Sequence, residues 1–135
     1  MRIFSENVSQ TEQAGFNFAR TLNAGDVVWI FGGLGAGKTA FVRGMALALG
    51  CAGPVTSPSY SLAHEYAGRI TLFHFDAYRL NDTEDLLDIG WEDYLLRGGV
   101  CAVEWAQRLN PLPCPGRHVT IEEAEGGRRI DVSEQ

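Results

Sequence analysis

Residues 32–39 read Gly-Gly-Leu-Gly-Ala-Gly-Lys-Thr, which satisfies the pattern G-x-x-x-x-G-K-[ST]. Each residue type in that run suits the holding of phosphate. Glycines let backbone N–H groups curl around anionic oxygens with no Cβ in the way. A helix that follows directs its N-terminal dipole and its unpaired N–H groups at the anion. Lys38 supplies a cation for the β- and γ-phosphates, and the Thr39 hydroxyl supplies a ligand for Mg2+. The candidate phosphate-binding residues are Gly35, Ala36, Gly37, Lys38, Thr39 and Ala40. Lys38 is the only lysine in the chain, whose other ten cationic side chains are arginines. The plain alternative is a glycine-rich turn that merely caps a helix.

A loop of this kind needs carboxylates to hold Mg2+ and to orient water, and they should project from the carboxyl ends of sheet strands. Two positions fit. Asp76 closes the apolar run RITLFHF, and Glu104 closes VCAV. Spacing alone leaves their division of labour open: one could hold the metal, directly or through water, while the other positions the attacking water. Thr56, Ser57 and Ser59 lie where a γ-phosphate-sensing switch is often found. His74, two residues before Asp76, reads more readily as a satisfied core histidine than as a general base. Arg43, Arg79 and Arg108 are candidate transition-state cations, each equally explicable as a surface or structural arginine.

The elements that must position these residues are legible in outline. RIFSEN predicts a short strand. Ser9-Gln10-Thr11-Glu12 has the form of a capping box, followed by Ala14, Phe18 and Leu22 at helical spacing and by Gly25 as a stop. Asp26–Phe31 is an apolar run of buried-strand length that leads into the glycines. Phe41, Met45, Leu47, Ala48 and Leu49 predict a helix ending at Gly50. YSLAHEY and RITLFHF, split by Ala67-Gly68, predict a strand pair. Asp82–Asp85 opens a helix, WEDYLL a second short one, and Val100–Val103 is another buried strand. HVTIEEA and RRIDV around Gly126-Gly127 predict a C-terminal hairpin. The expected fold is an α/β, three-layer domain with a mixed central sheet and helices on both faces, built as one domain over residues 1–135.

Composition bounds the function. A chain of 135 residues with 45% hydrophobic residues and a net charge of −6 fits a globular protein. No apolar run reaches the ~20 residues that span a bilayer, and the N-terminus lacks an apolar stretch of signal-peptide length. A cytoplasmic protein without membrane partners is expected. The acidic balance argues against a chain that grips DNA or RNA by its backbone. Cys51, Cys101 and Cys114 are widely spaced with no CxxC, which argues against structural zinc.

Taken in order, the phosphate loop, VTSPSYSL, HFDAYRL and VEW resemble the TsaE family, small bacterial P-loop ATPases of tRNA threonylcarbamoyladenosine synthesis. The resemblance runs from Thr11 to the closing hairpin. It implies a P-loop NTPase-like domain that uses ATP with Mg2+ and works on a TsaB–TsaD pair, meeting tRNA only through that complex and resetting it between turnovers. By motif match it makes Lys38 and Thr39 ligands of phosphate and metal, Glu104 the magnesium-linked acid and Asp76 an essential aspartate. It sets Trp105, otherwise a plain core aromatic, beside the site, and Thr11 near the nucleotide base. The chain departs from the family pattern in placing Gly33 where Asp is usual, Ser59-Tyr60 for Thr-Phe, Ala77 for Leu and Ala106-Gln107 for Pro-Glu. Other readings of the loop are a small-molecule kinase, for which no lid segment is evident, and a nucleotide sensor that does not hydrolyse. A GTP switch is disfavoured, because an N-K-x-D signature needs a second lysine.

Overall fold

The computed structural model describes residues 1–33, 35–53 and 63–133. Thr56, Ser57, Ser59 and the opening residues of YSLAHEY lie outside them. In chain order the strands are β1 (Arg2–Ser5), β2 (Val27–Phe31), β3 (Ala63–Tyr66), β4 (Leu72–Asp76), β5 (Val100–Glu104), β6 (Arg117–Ala124) and β7 (Gly127–Val132). The helices are α1 (Val8–Ala19), α2 (Lys38–Ala48), α3 (Thr83–Asp88) and α4 (Trp91–Leu96), and a 3₁₀ turn covers Ala106–Arg108.

The strands form one mixed sheet in the order β1-β7-β6-β2-β5-β4-β3. Its centre is parallel: β2 pairs with β5 and β6, and β4 with β5. The antiparallel pairs lie at the two sides, β3 on β4 and the β6–β7 hairpin with β1. Strand alternation explains why the central strands are apolar throughout. Val28 and Ile30 join a core with Phe18 of α1 and Phe41 and Met45 of α2. Val27 and Trp29 point the other way, into a core with Phe73, Phe75, Leu86 of α3 and Trp91 of α4. Helices therefore cover both faces, and the expected three-layer α/β architecture with its C-terminal hairpin is observed.

Two boundaries differ from the sequence reading. The cap of α1 is not Ser9 but Asn7, whose side chain accepts the Gln10 N–H at 2.8 Å, while the Gln10 side chain reaches back to the Glu6 N–H at 2.7 Å. The helix starts earlier because Asn7 satisfies a first-turn donor, while Gln10 ties down the N–H of the residue just before the cap. It also ends at Ala19 rather than near Gly25. The Thr21 N–H and hydroxyl both donate to the Phe18 carbonyl, at 3.0 and 2.7 Å, and close the last turn.

The packing of α1 on α2 is unusually close because both helices use glycine at the crossing. A Cβ on Gly15 would lie 2.0 Å from the Phe41 carbonyl oxygen, and one on Gly44 would lie 1.8 Å from that of Glu12. Backbone thus meets backbone, and the N-terminal end of α2, with Lys38 and Thr39, is fixed over the sheet.

Candidate phosphate-binding site

The parallel register decides which side chains meet. Glu104 at the end of β5 lies opposite Ile30 of β2 and opposite Asp76 at the end of β4. The glycine loop leaves the same end of β2 and runs into α2. Loop, Glu104 and Asp76 therefore gather along three adjacent carboxyl-terminal strand ends, where ligands of parallel sheets bind.

Gly37 is the N-cap of α2 with φ +104, in the left-handed region, and offers no side-chain cap. A residue with a Cβ is strained there. The first-turn N–H groups of a helix have no intrahelical acceptor, and those of Thr39 and Ala40 meet no backbone acceptor among the described residues. They are available to an anion. Next to them, Lys38 is 4% exposed. Its Nζ donates to the carbonyls of Gly32 at 2.8 Å and Gly33 at 2.6 Å and stands 4.1 Å from the centre of the Trp105 ring. Burial lowers the Lys38 pKa below the ordinary lysine value, opposed by the charges of Glu104 and Asp76.

The Thr39 hydroxyl faces the Glu104 carboxylate in long contacts of 3.3 and 3.5 Å. Glu104 is buried and accepts a hydrogen bond from Nε2 of the fully buried His74. Nδ1 of His74 has no partner among the described residues. Asp76 is half-buried, and its Oδ1 accepts the Tyr78 N–H at 2.9 Å. Burial pushes its pKa above the ordinary aspartate value; the Tyr78 N–H opposes that shift, and the Glu104 charge adds to it.

Trp105 packs against the second core and also faces the site. It is the one non-glycine residue with positive φ among those described, at +61, a conformation that costs ~1–3 kcal/mol and clusters at functional sites. Its ring faces Lys38 and packs on Tyr78, with centroids 4.7 Å apart, and the Arg108 guanidinium stands 5.0 Å from the Tyr78 ring. A cavity of about 350 Å³ is lined by residues 35–40 with Arg43, Glu104 and Trp105. A second, of about 230 Å³, shares Gly35, Gly37 and Ala40 and adds Thr11 and Arg128. Thr11 lies inside α1 rather than in its capping box. It is 2% exposed, and its hydroxyl is bonded to Ser5 Oγ at 2.7 Å.

The structure thus brings together Lys38, Thr39, Glu104 and Trp105, with Asp76 one strand further along and Thr11 behind the loop. Arg43 lines the main cavity while ion-paired to Glu12 at 2.8 Å. Arg79 is exposed just beyond β4, and Arg108 is spent on Tyr78. His74 is a buried core histidine, as its sequence position suggests, and its bond to Glu104 follows from the β4–β5 register, which the sequence does not show.

Magnesium favours oxygen ligands and retains waters and substrate phosphates, with one or two carboxylates from the protein. The Thr39 hydroxyl and the Glu104 and Asp76 carboxylates fit that preference. The described residues hold no cluster of three or more His, Cys, Asp or Glu that could form a full protein cage.

A parallel-centred sheet with a glycine loop between β2 and α2, and acids at the ends of the neighbouring strands, defines a P-loop-type α/β protein. Comparison with known proteins narrows this further. The family model "Threonylcarbamoyl adenosine biosynthesis protein TsaE" matches residues 5–130. The chain is 42% identical to the tRNA threonylcarbamoyladenosine biosynthesis protein TsaE of Treponema pallidum, over 98% of this chain and 100% of that protein. It is 37% identical to the protein of the same name from Nostoc, over 98% and 85%. A crystal structure of YdiB from Bacillus subtilis superposes with a TM-score of 0.78 at 30% identity, covering 96% of this chain and 82% of that one. The chain belongs to the TsaE family, whose name places it in tRNA threonylcarbamoyladenosine biosynthesis. No helix among the described residues is long and apolar enough to cross a membrane.

Proposed function

We propose that the chain binds ATP with Mg2+ and hydrolyses it to drive or reset a TsaB–TsaD-like complex that modifies tRNA, touching tRNA only through that complex. The observation that carries this reading is the convergence of Lys38, Thr39, Glu104 and Asp76 on one end of the parallel strands β2, β5 and β4. Lys38 and the free N–H groups of Thr39 and Ala40 offset phosphate charge. Thr39 and Glu104, with Asp76 beside them, would hold Mg2+, which supplies charge neutralisation to the bound phosphates. His74 fixes the Glu104 carboxylate so that it keeps one orientation.

Hydrolysis places a water oxygen on the γ-phosphorus as the bond to the β–γ bridging oxygen breaks. ADP leaves with that electron pair, and the water proton passes to a nearby base. Asp76 is half-buried with a raised pKa, a suitable character for orienting water and taking up that proton. Slow turnover by the isolated chain is expected, since partners often complete such sites.

The test is phosphate release from ATP, measured with and without a TsaB–TsaD pair, for the wild type and for Lys38→Ala. The reading expects Mg2+-dependent release that rises with the partners and is lost in Lys38→Ala. ATP bound without release under either condition would instead identify a nucleotide sensor.

A further inference from the structure

The carbonyls of the phosphate loop are taken up from outside by two side chains with no part in the chemistry described above. Gln107, in the 3₁₀ turn after β5, presents its carboxamide to both backbone polar groups of Gly32: Nε2 donates to the Gly32 carbonyl at 2.9 Å, and Oε1 accepts the Gly32 N–H at 3.3 Å. Arg128, on β7, donates from Nε to the Ala36 carbonyl at 3.1 Å and from Nη2 to the Gly35 carbonyl at 3.0 Å. Its Nη1 is anchored on the carbonyl of Gly127 at 3.1 Å. The loop is therefore gripped at its start from one side of the sheet and at its end from the other.

Peptide geometry gives this grip a consequence. In a trans peptide the C=O and the following N–H point in opposite directions. The Gly32 carbonyl is shared between Gln107 Nε2 and Lys38 Nζ, so Gln107 fixes the peptide against which Lys38 rests, and holding the Ala36 carbonyl on Arg128 turns the Gly37 N–H away from that side chain. Gly37 lines the 350 Å³ cavity with Lys38 and Thr39. A free glycine-rich loop samples many peptide orientations, and ordering them on binding costs affinity. We propose that Gln107 and Arg128 are positioning residues that preset the phosphate loop, so that the Gly37 N–H and the Lys38 ammonium are in place before nucleotide arrives. The proposal rests on the reading of this loop as a phosphate site.

Both roles depend on side-chain shape, not charge alone. Gln107 needs one donor and one acceptor on the same planar group. A glutamate keeps the acceptor, loses the donor and sets a carboxylate against the Gly32 carbonyl. Arg128 needs the guanidinium fork, whose several donors a lysine ammonium cannot place at the same points. Arg128 also lines the second cavity with Thr11, so a direct contact with the nucleoside must be told apart from a grip on the loop.

The experiment is calorimetric titration of the full chain with Mg-ATP and, separately, with Mg-tripolyphosphate, which carries no base or sugar. Wild type, Gln107→Glu, Gln107→Ala, Arg128→Lys and Arg128→Ala are compared, and each ligand-free variant is checked by thermal melting. Each variant is expected to weaken both ligands by about tenfold, with Arg128→Lys as impaired as Arg128→Ala and melting close to wild type for Gln107→Glu and Arg128→Lys. Binding by Arg128→Lys at wild-type strength would overturn the fork argument. Loss of ATP affinity with tripolyphosphate unaffected would overturn the grip in favour of a nucleoside contact. Unchanged affinity for both ligands in every variant would overturn the proposal while leaving the phosphate site intact. A wild type that binds neither ligand would remove the site itself.

Discussion

At the scale of single residues, the site sets two ionisable groups against their surroundings. Burial raises the Asp76 pKa and lowers that of Lys38. For Asp76 the folded chain holds a proton that the unfolded chain has already released. Its contribution to stability is therefore greatest below the ordinary aspartate value near 3.8 and declines as pH rises through the raised folded value. For Lys38 the sign is reversed. Its contribution is greatest above the ordinary lysine value near 10.5 and declines as pH falls through the lowered folded value. At neutral pH both ionised groups carry a burial cost, which a cation beside Asp76 and an anion beside Lys38 would relieve. With Mg2+ held beside Asp76 as proposed, the metal and a proton would compete for that carboxylate. Mg2+ affinity in the presence of ATP is expected to fall as pH is lowered toward the raised Asp76 value, and Asp76→Asn should flatten that dependence. Titrations at a series of pH values check this; a slope unaltered in Asp76→Asn would assign the proton to another group.

At the scale of elements, the glycine crossing between α1 and α2 carries the most exposed claim. Alanine at position 44 gains ~1 kcal/mol of helix propensity yet drives a methyl group into the Glu12 carbonyl oxygen, 1.8 Å away. No rotamer relieves a clash with backbone, so Gly44→Ala should cost a net ~1–3 kcal/mol and lower the melting temperature by roughly 4–10 °C. Melting at or above the wild-type temperature would show that the helices separate freely. This crossing is not legible in the sequence, because no periodicity or motif singles out Gly15 or Gly44. What was legible follows from local physics: the apolar runs of β2, β4 and β5, the glycine loop, and the two acids that close their strands. The missed features are of two kinds, some local and some that need pairing in space. The Asn7 cap competes with a sound capping-box pattern at Ser9. The bond from His74 to Glu104 needs the β4–β5 register, and the grip of Arg128 needs β7 folded back beside the loop. The left-handed backbone of Trp105 has no composition signal, since tryptophan gives no hint of positive φ.

At the scale of the whole molecule, an acidic chain has placed its single lysine among buried side chains at the end of the sheet. Its exposed ion pairs, such as Arg2–Asp131 and Arg97–Glu65, contribute little to stability. Everything particular to the chain converges on one claim: β2, β5, β4 and the start of α2 together build a Mg-ATP site centred on Lys38. Calorimetric titration of the full-length chain with Mg-ATP, beside Lys38→Ala confirmed folded by its melting curve, tests that claim most directly. Saturable one-to-one binding by the wild type and none by Lys38→Ala is the predicted result. Equal binding by the two proteins, or no binding by the folded wild type, would contradict it.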